Sequence, residues 1–256
     1  MAKKVAVITG GSSGIGRAAA VRLAQEGYHL VIAGRSHQGL DETKKRCVAA
    51  GIPREYVHTV TGDICLEETS TRILHECIQK FGQLDALVNS AGILTLGKLT
   101  DASISVYDQQ FEVNVRSVVQ ITRLAIPHLL HTKGCVVNVS STCGKNVIDS
   151  LGYYCMSKAA LDQYTKALAL ELAPKGVRVN AVCPGVIRTE LHQRAGVDDG
   201  SYEQTMTKFE QQHAMNRLGE LEEAADAINF LVTGASSFVT GHLLYVDGGF
   251  GLVRPQ

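Results

Sequence analysis

The chain alternates short, continuous apolar segments with longer segments in which apolar residues recur at helical spacing. The short segments lack the alternation of a half-exposed strand, so they indicate strands that are buried on both faces of a sheet. We predict strands at Val5–Thr9, Leu30–Ala33, Tyr56–Thr61, Leu84–Asn89, Cys135–Ser140, Val177–Val182 and Leu243–Val246. We predict helices at Gly14–Glu26, Leu40–Ala50, Glu67–Phe81, Ser103–Leu130, Tyr153–Leu172 and Leu221–Val232.

This alternation of strands and helices predicts an α/β fold, a Rossmann-like doubly wound parallel sheet of about seven strands with helices on both faces. No linker or repeat divides the chain, so we expect a single domain over residues 1–256. Residues 186–215 interrupt the alternation of strands and helices, because they are polar and include Gly196 and Gly200. They follow a predicted strand end, where such sheets bind ligands. We expect an irregular lid or substrate-binding loop there; a plain surface insertion is the alternative.

The amino-acid composition argues against several classes of binding partner. Lys plus Arg and Asp plus Glu both number 25, and no basic stripe is present, so we expect no binding to nucleic acid or to a membrane surface. No apolar run is long enough to span a bilayer, and the apolar run near the N-terminus is too short for a signal peptide. The seven cysteines and nine histidines lack metal-ligand or disulfide spacing, which indicates free thiols, no metal site and a cytoplasmic location.

A glycine-rich turn follows the first predicted strand and opens the first predicted helix. Its spacing, G-x-x-x-G-x-G, is a variant of the pattern that binds dinucleotides. Glycines let the backbone approach a pyrophosphate, and a helix N-terminus presents N–H groups to it. We expect this turn to bind a nicotinamide dinucleotide through Gly10, Ser12, Ser13, Gly14, Ile15 and Gly16.

A tyrosine and a lysine stand four residues apart, at Tyr154 and Lys158, in a predicted helix. Four residues is a little over one turn, so both side chains lie on the same face. A neighbouring ammonium favours the phenolate, which would tune the tyrosine for proton transfer. Taken alone, the spacing also fits a solvated helix face.

The glycine turn and Tyr154-x-x-x-Lys158 together resemble the short-chain dehydrogenase/reductase family, in its compact single-domain branch. Further motifs occur in the family's order along almost the whole chain. They are Asn89-Ser90-Ala91-Gly92, Asn114 in the long central helix, Val139-Ser140-Ser141, Pro184-Gly185 with Ile187 and Thr189, and Val246-Asp247-Gly248-Gly249. Two departures are Ser90, which replaces a second asparagine, and Tyr153, which doubles the tyrosine; we interpret Tyr153 as a packing or pocket-wall residue.

The resemblance implies hydride transfer between a nicotinamide and a carbonyl carbon, with interconversion of a carbonyl and a secondary alcohol. Tyr154 would be the general acid in reduction and the general base in oxidation, and Lys158 would lower its pKa and bind the nicotinamide ribose. Ser141 would orient the substrate oxygen, and Asn114 would hold a water of a proton relay. The resemblance also implies cofactor contacts from Asp63, Ile64, Asn89, Ala91, Gly92, Pro184, Gly185, Ile187 and Thr189.

The residues after the second predicted strand favour NADP(H). An acid that would bind the adenosine ribose hydroxyls of NAD is expected about twenty positions past the glycine turn. Gly34 stands at that place, and Arg35 and Ser36 follow it. A guanidinium suits a 2′-phosphate, and a serine hydroxyl adds a donor. NAD(H) stays the alternative, as does a solvated loop arginine.

The motifs leave the substrate open, because the family acts on steroids, retinoids, sugars and small ketones. We expect a small-molecule carbonyl or alcohol, with a 3-oxoacyl thioester (acyl carrier protein or coenzyme A) as the alternative. A non-catalytic NADP(H)-binding sensor or scaffold is a second class, which the presence of the full catalytic set disfavours. The resemblance suggests a homotetramer, or a dimer. Cys143, Cys155 and Cys183 lie near these motifs and are interpreted as buried small residues, with thiol regulation as a hypothesis.

Overall fold

A sheet of seven parallel strands runs through the part of the chain that the computed structural model describes, residues 3–189 and 199–252. The order is β3-β2-β1-β4-β5-β6-β7, and every neighbouring pair is parallel. This confirms the predicted α/β class and doubly wound sheet. The strands are β1 Val5–Thr9, β2 His29–Gly34, β3 Val57–Thr61, β4 Ala86–Asn89, β5 Cys135–Val139, β6 Arg178–Pro184 and β7 Leu243–Val246.

Helices cover both faces of the sheet. The α-helices are α1 Gly14–Gln25, α2 His37–Ala49, α3 Glu67–Phe81, α4 Ile104–Phe111, α5 Ser117–Thr132, α6 Gly152–Leu172, α7 Asp199–Gln211 and α8 Leu221–Val232. Short 3-10 turns lie at Arg54–Tyr56, Thr142–Gly144, Ala173–Lys175 and Gly234–Ser236, and a π-helical turn lies at Glu112–Arg116. None of the described helices is long and apolar enough to cross a membrane.

The sheet is buried between two apolar layers. Successive side chains of a strand point to opposite faces. In β1, Ile8 therefore packs with α1 and α2 in one layer, and Val7 packs with α3, α5 and α6 in the other. Both residues are fully buried, which explains why the strands are apolar runs without alternation.

Two predicted elements differ from the structure. The helix predicted at Ser103–Leu130 is present as continuous helical backbone from Ile104 to Thr132, but the structure divides it, because a π turn at Glu112–Arg116 separates α4 from α5. A π turn adds one residue to the hydrogen-bonded loop without changing the apolar pattern enough to be read from the sequence. The irregular backbone predicted for residues 186–215 is wrong for Asp199–Gln211, which form α7. Residues 190–198 of that segment lie outside the described residues.

Helix α7 was missed because its apolar positions are sparse among Gln, Thr, Lys and Glu. Met206 is buried, and it packs with Val186, Leu218 and Phe250, with Phe209 beside them. Met206 and Phe209 are three residues apart, which places them on one helix face. A small apolar cluster therefore fixes α7 beside the end of β6.

The carboxyl ends of β1 and β4 lie side by side at the centre of the sheet. From β1 the chain crosses to β2 on one side, and from β4 it proceeds to β5 on the other. Such a reversal of direction opens a crevice above the strand ends, which is where doubly wound sheets bind ligands.

Candidate active site

One cavity of about 1080 Å³ occupies this crevice. Most of the predicted site residues line it. They are Gly10, Ser12, Ser13, Gly14, Ile15, Gly16, Arg35, Ser36, Asp63, Ile64, Ala91, Gly92, Ser141, Tyr154, Lys158, Pro184, Gly185, Ile187 and Thr189. Asn89 and Asn114 are the predicted site residues that do not form its wall.

The glycine turn needs glycine where it meets the end of β4. Gly10 has a φ of +66°, a left-handed conformation that L side chains rarely adopt. A Cβ there would lie 2.7 Å from the backbone N of Ala91 and from the carbonyl of Ser90. Gly14 also has a positive φ, of +53°, but a Cβ there would meet nothing within 4 Å. The turn is therefore pressed against the backbone at Gly10 and open to the cavity at Gly14.

A threonine ties this turn to the loop after β4. Thr9 is buried, and its Oγ1 accepts hydrogen bonds from the backbone N of Ser90 at 3.2 Å and of Ala91 at 3.3 Å. Because Thr9 ends β1 and Ala91 follows β4, these bonds hold the two loops at a fixed separation. The first helix then directs its N-terminal N–H groups at the cavity.

Asn89 lies beneath the cavity instead of in its wall. Its Nδ2 donates to Thr122 Oγ1 at 3.0 Å and to Asn138 Oδ1 at 2.9 Å. Asn138 in turn donates to Thr165 Oγ1 at 2.9 Å. This buried polar ladder joins β4 and β5 to α5 and α6, so in this structure Asn89 acts on the site through the positions of those elements.

The end of the cavity nearest α2 carries the residues predicted to select the cofactor. Arg35 and Ser36 follow β2 and are exposed at the cavity wall. Within the described parts of the chain, no hydrogen bond or ion pair engages the Arg35 guanidinium. Ser36 Oγ caps α2 by accepting from the Gly39 N–H at 3.0 Å, which leaves its own O–H able to donate. Asp63 orients its loop by accepting from the Cys65 N–H at 3.0 Å.

Three of the predicted catalytic side chains meet at the other end, where β5 and α6 approach. Tyr154 and Lys158 lie one turn apart on α6, and Ser141 follows β5; all three are buried. Ser141 hydrogen-bonds to the Tyr154 side chain, and Ser141 Oγ also accepts from the Cys143 N–H at 3.1 Å. Two hydroxyl groups thus converge where a carbonyl oxygen would accept from both.

The pKa of Tyr154 is shifted in the direction opposite to the predicted one. Burial raises the pKa of Tyr154, against a lowering by the Ser141 hydrogen bond. The predicted lowering by Lys158 is absent from this structure, because Lys158 Nζ lies 5.6 Å from the Tyr154 ring centroid and donates instead to the Val139 carbonyl at 2.9 Å. Burial lowers the pKa of Lys158 to about 8. The phenol is therefore held in its protonated form at neutral pH.

Asn114 lies in the π-helical turn and is fully buried. Its Oδ1 accepts from the Ile93 N–H at 2.9 Å, and its Nδ2 donates to the Ile93 carbonyl at 2.9 Å and to Ser157 Oγ at 3.1 Å. The side chain thus fixes the loop after β4 against α6. Its predicted water relay stays a prediction.

The catalytic end also has an apolar wall, which the motifs did not reveal. Leu94, Leu96, Cys143, Ile148, Leu151, Val186 and Phe209 line it, and Arg17, Gln38 and Glu42 were missed at the other end. Apolar spacing alone does not distinguish such wall residues from core residues. Tyr153 is not part of the wall; its ring packs edge-on against Tyr107 at 5.5 Å, as expected for a packing residue.

The cysteines near the motifs are buried, as predicted. Burial raises the pKa of Cys183 to about 12. Cys143 and Cys155 hydrogen-bond to each other beside Tyr154, and this contact raises the pKa of Cys143 while it lowers that of Cys155. The hypothesis of thiol regulation stays untested.

Known proteins are similar to this chain over almost all of its length. Residues 10–251 match the family model described as enoyl-(acyl carrier protein) reductase. A meso-2,3-butanediol dehydrogenase of Serratia marcescens is 35% identical over 246 residues, which are 96% of this chain and 94% of that protein. The chain belongs to the short-chain dehydrogenase/reductase family. This confirms the resemblance found in the motifs, and it makes the protein an oxidoreductase.

Solved structures of short-chain dehydrogenases/reductases have the same fold. A family member of unknown function from Caenorhabditis elegans, crystallised with cofactor, superposes with a TM-score of 0.92 at 35% identity and covers 98% of this chain and 96% of that one. An actinorhodin polyketide ketoreductase with NADPH gives a TM-score of 0.90 at 29% identity and 98% coverage of both chains.

Proposed function

We propose that this protein is an NADP(H)-dependent oxidoreductase that interconverts a carbonyl and a secondary alcohol, with Tyr154 as the proton donor and acceptor. The observation that carries the proposal is the convergence of Ser141, Tyr154 and Lys158 in the cavity that begins at the glycine turn. The bound dinucleotide would supply the hydride. Gly10 to Gly16 would hold its pyrophosphate, and Pro184, Gly185, Ile187 and Thr189 would hold its nicotinamide.

The protein's own residues would supply orientation and a proton. The hydroxyls of Ser141 and Tyr154 would bind the carbonyl oxygen, which polarises it for attack at carbon. Tyr154 would then give its proton to the developing alkoxide. The Lys158 ammonium, which lies 5.6 Å from the Tyr154 ring centroid and donates to Val139, would stabilise the resulting phenolate through its charge and not through a direct hydrogen bond. Because burial raises the pKa of Tyr154, the phenol starts protonated, as a proton donor to the carbonyl oxygen must be.

Three observations support NADP(H) over NAD(H). Gly34 stands where an acid would bind the adenosine ribose hydroxyls of NAD, so this chain has no carboxylate at that position. Arg35 is exposed at the wall, where it would bind a 2′-phosphate. Glu42, an acid in the same part of the wall, is ion-paired with Arg46 at 2.8 Å, which offsets its repulsion of a phosphate.

A 3-oxoacyl thioester is the second candidate substrate. The polyketide ketoreductase that shares this fold supports it, as does the apolar wall of Leu94, Ile148 and Leu151, which suits an acyl chain. A short neutral ketone would fit the same wall with fewer contacts.

An activity panel tests the proposal. Purified enzyme is assayed with short ketones, a 3-oxoacyl thioester and the matching alcohols, each with NADP(H) and with NAD(H). Tyr154→Phe is expected to lower kcat by about 10²–10⁴-fold, as loss of a general acid does, while the NADPH dissociation constant changes less than about twofold. Tyr153→Phe is the matched control, because it removes a neighbouring hydroxyl outside the cavity wall; it should keep wild-type activity.

Turnover by Tyr154→Phe at the wild-type rate would overturn the catalytic assignment. NADPH binding without oxidation of cofactor by any carbonyl would favour the sensor or scaffold class. A kcat/KM that is higher with NADH than with NADPH would reverse the cofactor preference.

A further inference from the structure

A buried acid that the proposed reaction does not use lies next to Lys158. Asp162 is four residues after Lys158 on α6, so the two side chains share a helix face. It is only 5% exposed. Buried carboxyl groups are rare unless they are paired or hydrogen-bonded, so its presence here calls for a physical reason.

The backbone after β5 is shaped around this carboxyl group. A Cβ at Gly144 would overlap Asp162 Oδ2, so this residue of the 3-10 turn leaves room for the carboxylate. Ser140 hydrogen-bonds to Asp162, and Cys183 Sγ lies 4.0 Å from its Oδ1. Asp162 is therefore held from β5, β6 and the 3-10 turn.

Lys158 is a buried ammonium group without a direct carboxylate partner among the described residues. Lys158 is 4% exposed and donates to the Val139 carbonyl at 2.9 Å. No carboxylate lies within 4.0 Å of its Nζ among the described residues, so its charge is balanced only at longer range. Burial lowers the pKa of Lys158, and Asp162 is the strongest influence that raises it again, ahead of Cys183 and Cys143.

Few other ionisable groups face Asp162. Lys158 and Lys166, on its own helix, favour its ionised form, while burial raises its pKa. Cys183 of β6 and Tyr245 of β7 are the titratable neighbours on other strands. Burial raises the pKa of Cys183 to about 12 and also raises that of Tyr245, so both stay neutral near pH 8. The Cys143 and Cys155 pair, on the 3-10 turn and on α6, is the other group that can carry a negative charge near Lys158, and Cys143 ranks below Asp162 in its effect on the lysine. Asp162 is thus the carboxyl group that acts on Lys158 most strongly among these neighbours.

We propose that Asp162 is a positioning residue that keeps Lys158 in its ammonium form while the reaction proposed above takes place. It does not touch the reacting atoms. It offsets, from one helical turn away, the cost of holding the lysine charge out of water. The inference rests on the proposed function, because the ammonium matters only if Tyr154 transfers a proton.

The first test is the pH profile of carbonyl reduction by Asp162→Asn, which removes the charge and keeps the shape. The alkaline limb of kcat/KM should move to lower pH by about one unit, since removal of a nearby carboxylate lowers a lysine pKa. Asp162→Glu, which restores the charge, should return the limb toward the wild-type position. Glu171→Gln removes an exposed carboxylate on the same helix and should leave the limb unchanged.

A second readout does not depend on turnover. The Lys158 side chain is followed by NMR of labelled lysine, with Lys158→Arg identifying its signal, in the protein with and without NADP⁺. The titration midpoint should fall in Asp162→Asn and stay in Glu171→Gln. Should Asp162→Asn fail to fold, Asp162→Ser, which is also neutral and able to bond to Ser140, takes its place.

The outcomes separate the two proposals. An unchanged Lys158 midpoint in a folded neutral variant would overturn the role of Asp162, whatever the enzyme's activity. A lowered midpoint in a protein that reduces no carbonyl would retain the electrostatic role and reject the proposed function. A pH limb that moves equally in Asp162→Asn and Asp162→Glu would indicate a packing role and so overturn the proposal.

Discussion

The two ends of the cavity differ in what builds them. At the end next to α1, the glycine turn forms a wall of backbone, in which Gly10 meets the Ala91 N–H and the Ser90 carbonyl too closely for a side chain. At the end next to α6, the wall is made of buried side chains, among them Ser141, Tyr154 and Lys158. The first end can bind a phosphate by shape, whereas the second has functional groups with altered proton affinities.

This difference affects how each end responds to substitution. A backbone wall is insensitive to most side-chain changes except at a glycine, where an added Cβ displaces neighbouring backbone. A buried side-chain wall depends on each hydroxyl and ammonium, and loss of one changes the chemistry with little effect on the fold. Substitutions at the two ends should therefore separate cofactor binding from turnover.

After Tyr154→Phe, the largest effect is expected for Ser141→Ala at the side-chain end. Loss of a hydrogen-bond donor to the carbonyl oxygen should lower kcat by about 10²–10³-fold. The Kd for NADPH, measured by calorimetry, should stay within about twofold, since the glycine turn is untouched. Ser140→Ala removes the neighbouring hydroxyl as a comparison and should lower kcat far less. A Ser141→Ala enzyme that loses cofactor binding together with turnover would show that the two ends are not independent.

A smaller effect is expected for Gly10→Ala at the backbone end. The positive φ and the overlap with the Ser90 carbonyl should lower the free energy of unfolding by about 2 kcal/mol, and NADPH binding should weaken because the turn must shift. Gly14→Ala is the matched control: its φ is also positive, but its Cβ would meet no neighbour. It should cost about 1 kcal/mol. Equal losses in urea denaturation would contradict the role given to the close approach.

The same division explains how far the sequence could predict the site. The glycine turn is contiguous, so its strand–turn–helix context predicts its place directly. Tyr154 and Lys158 are related by helical spacing, which also survives in the fold. Asp162 has the same spacing from Lys158, yet its burial depends on Gly144 and Cys183, which are distant in sequence. The orientation of Lys158 toward the Val139 carbonyl likewise depends on β5.

The sequence predicted the strands well but missed helix α7 and the π turn, whose local signals are weak. The alternation of strands and helices predicted all seven strands to within a few residues, because parallel strands are continuous apolar runs. Helix α7 has few apolar residues, and its buried Met206 packs against Phe250 from the far end of the chain. The π turn that contains Asn114 adds a single residue to one hydrogen-bonded turn of the helix, and this does not change the spacing of apolar residues enough to be predicted from the sequence.

The smallest effect is expected where a side chain contributes to the backbone end. Arg35→Ala should raise the KM for NADPH by about tenfold and leave the KM for NADH unchanged. The expected rise is modest because solvent screens an exposed guanidinium, so its hydrogen bond to the 2′-phosphate contributes less binding free energy than a buried charged hydrogen bond. Arg54→Ala, which removes an exposed arginine outside the cavity wall, should change neither constant. The selective rise should shrink as salt is added, since screening weakens the contact. An equal rise for NADH would mean that Arg35 supports the turn itself, so that this end depends on side chains as well.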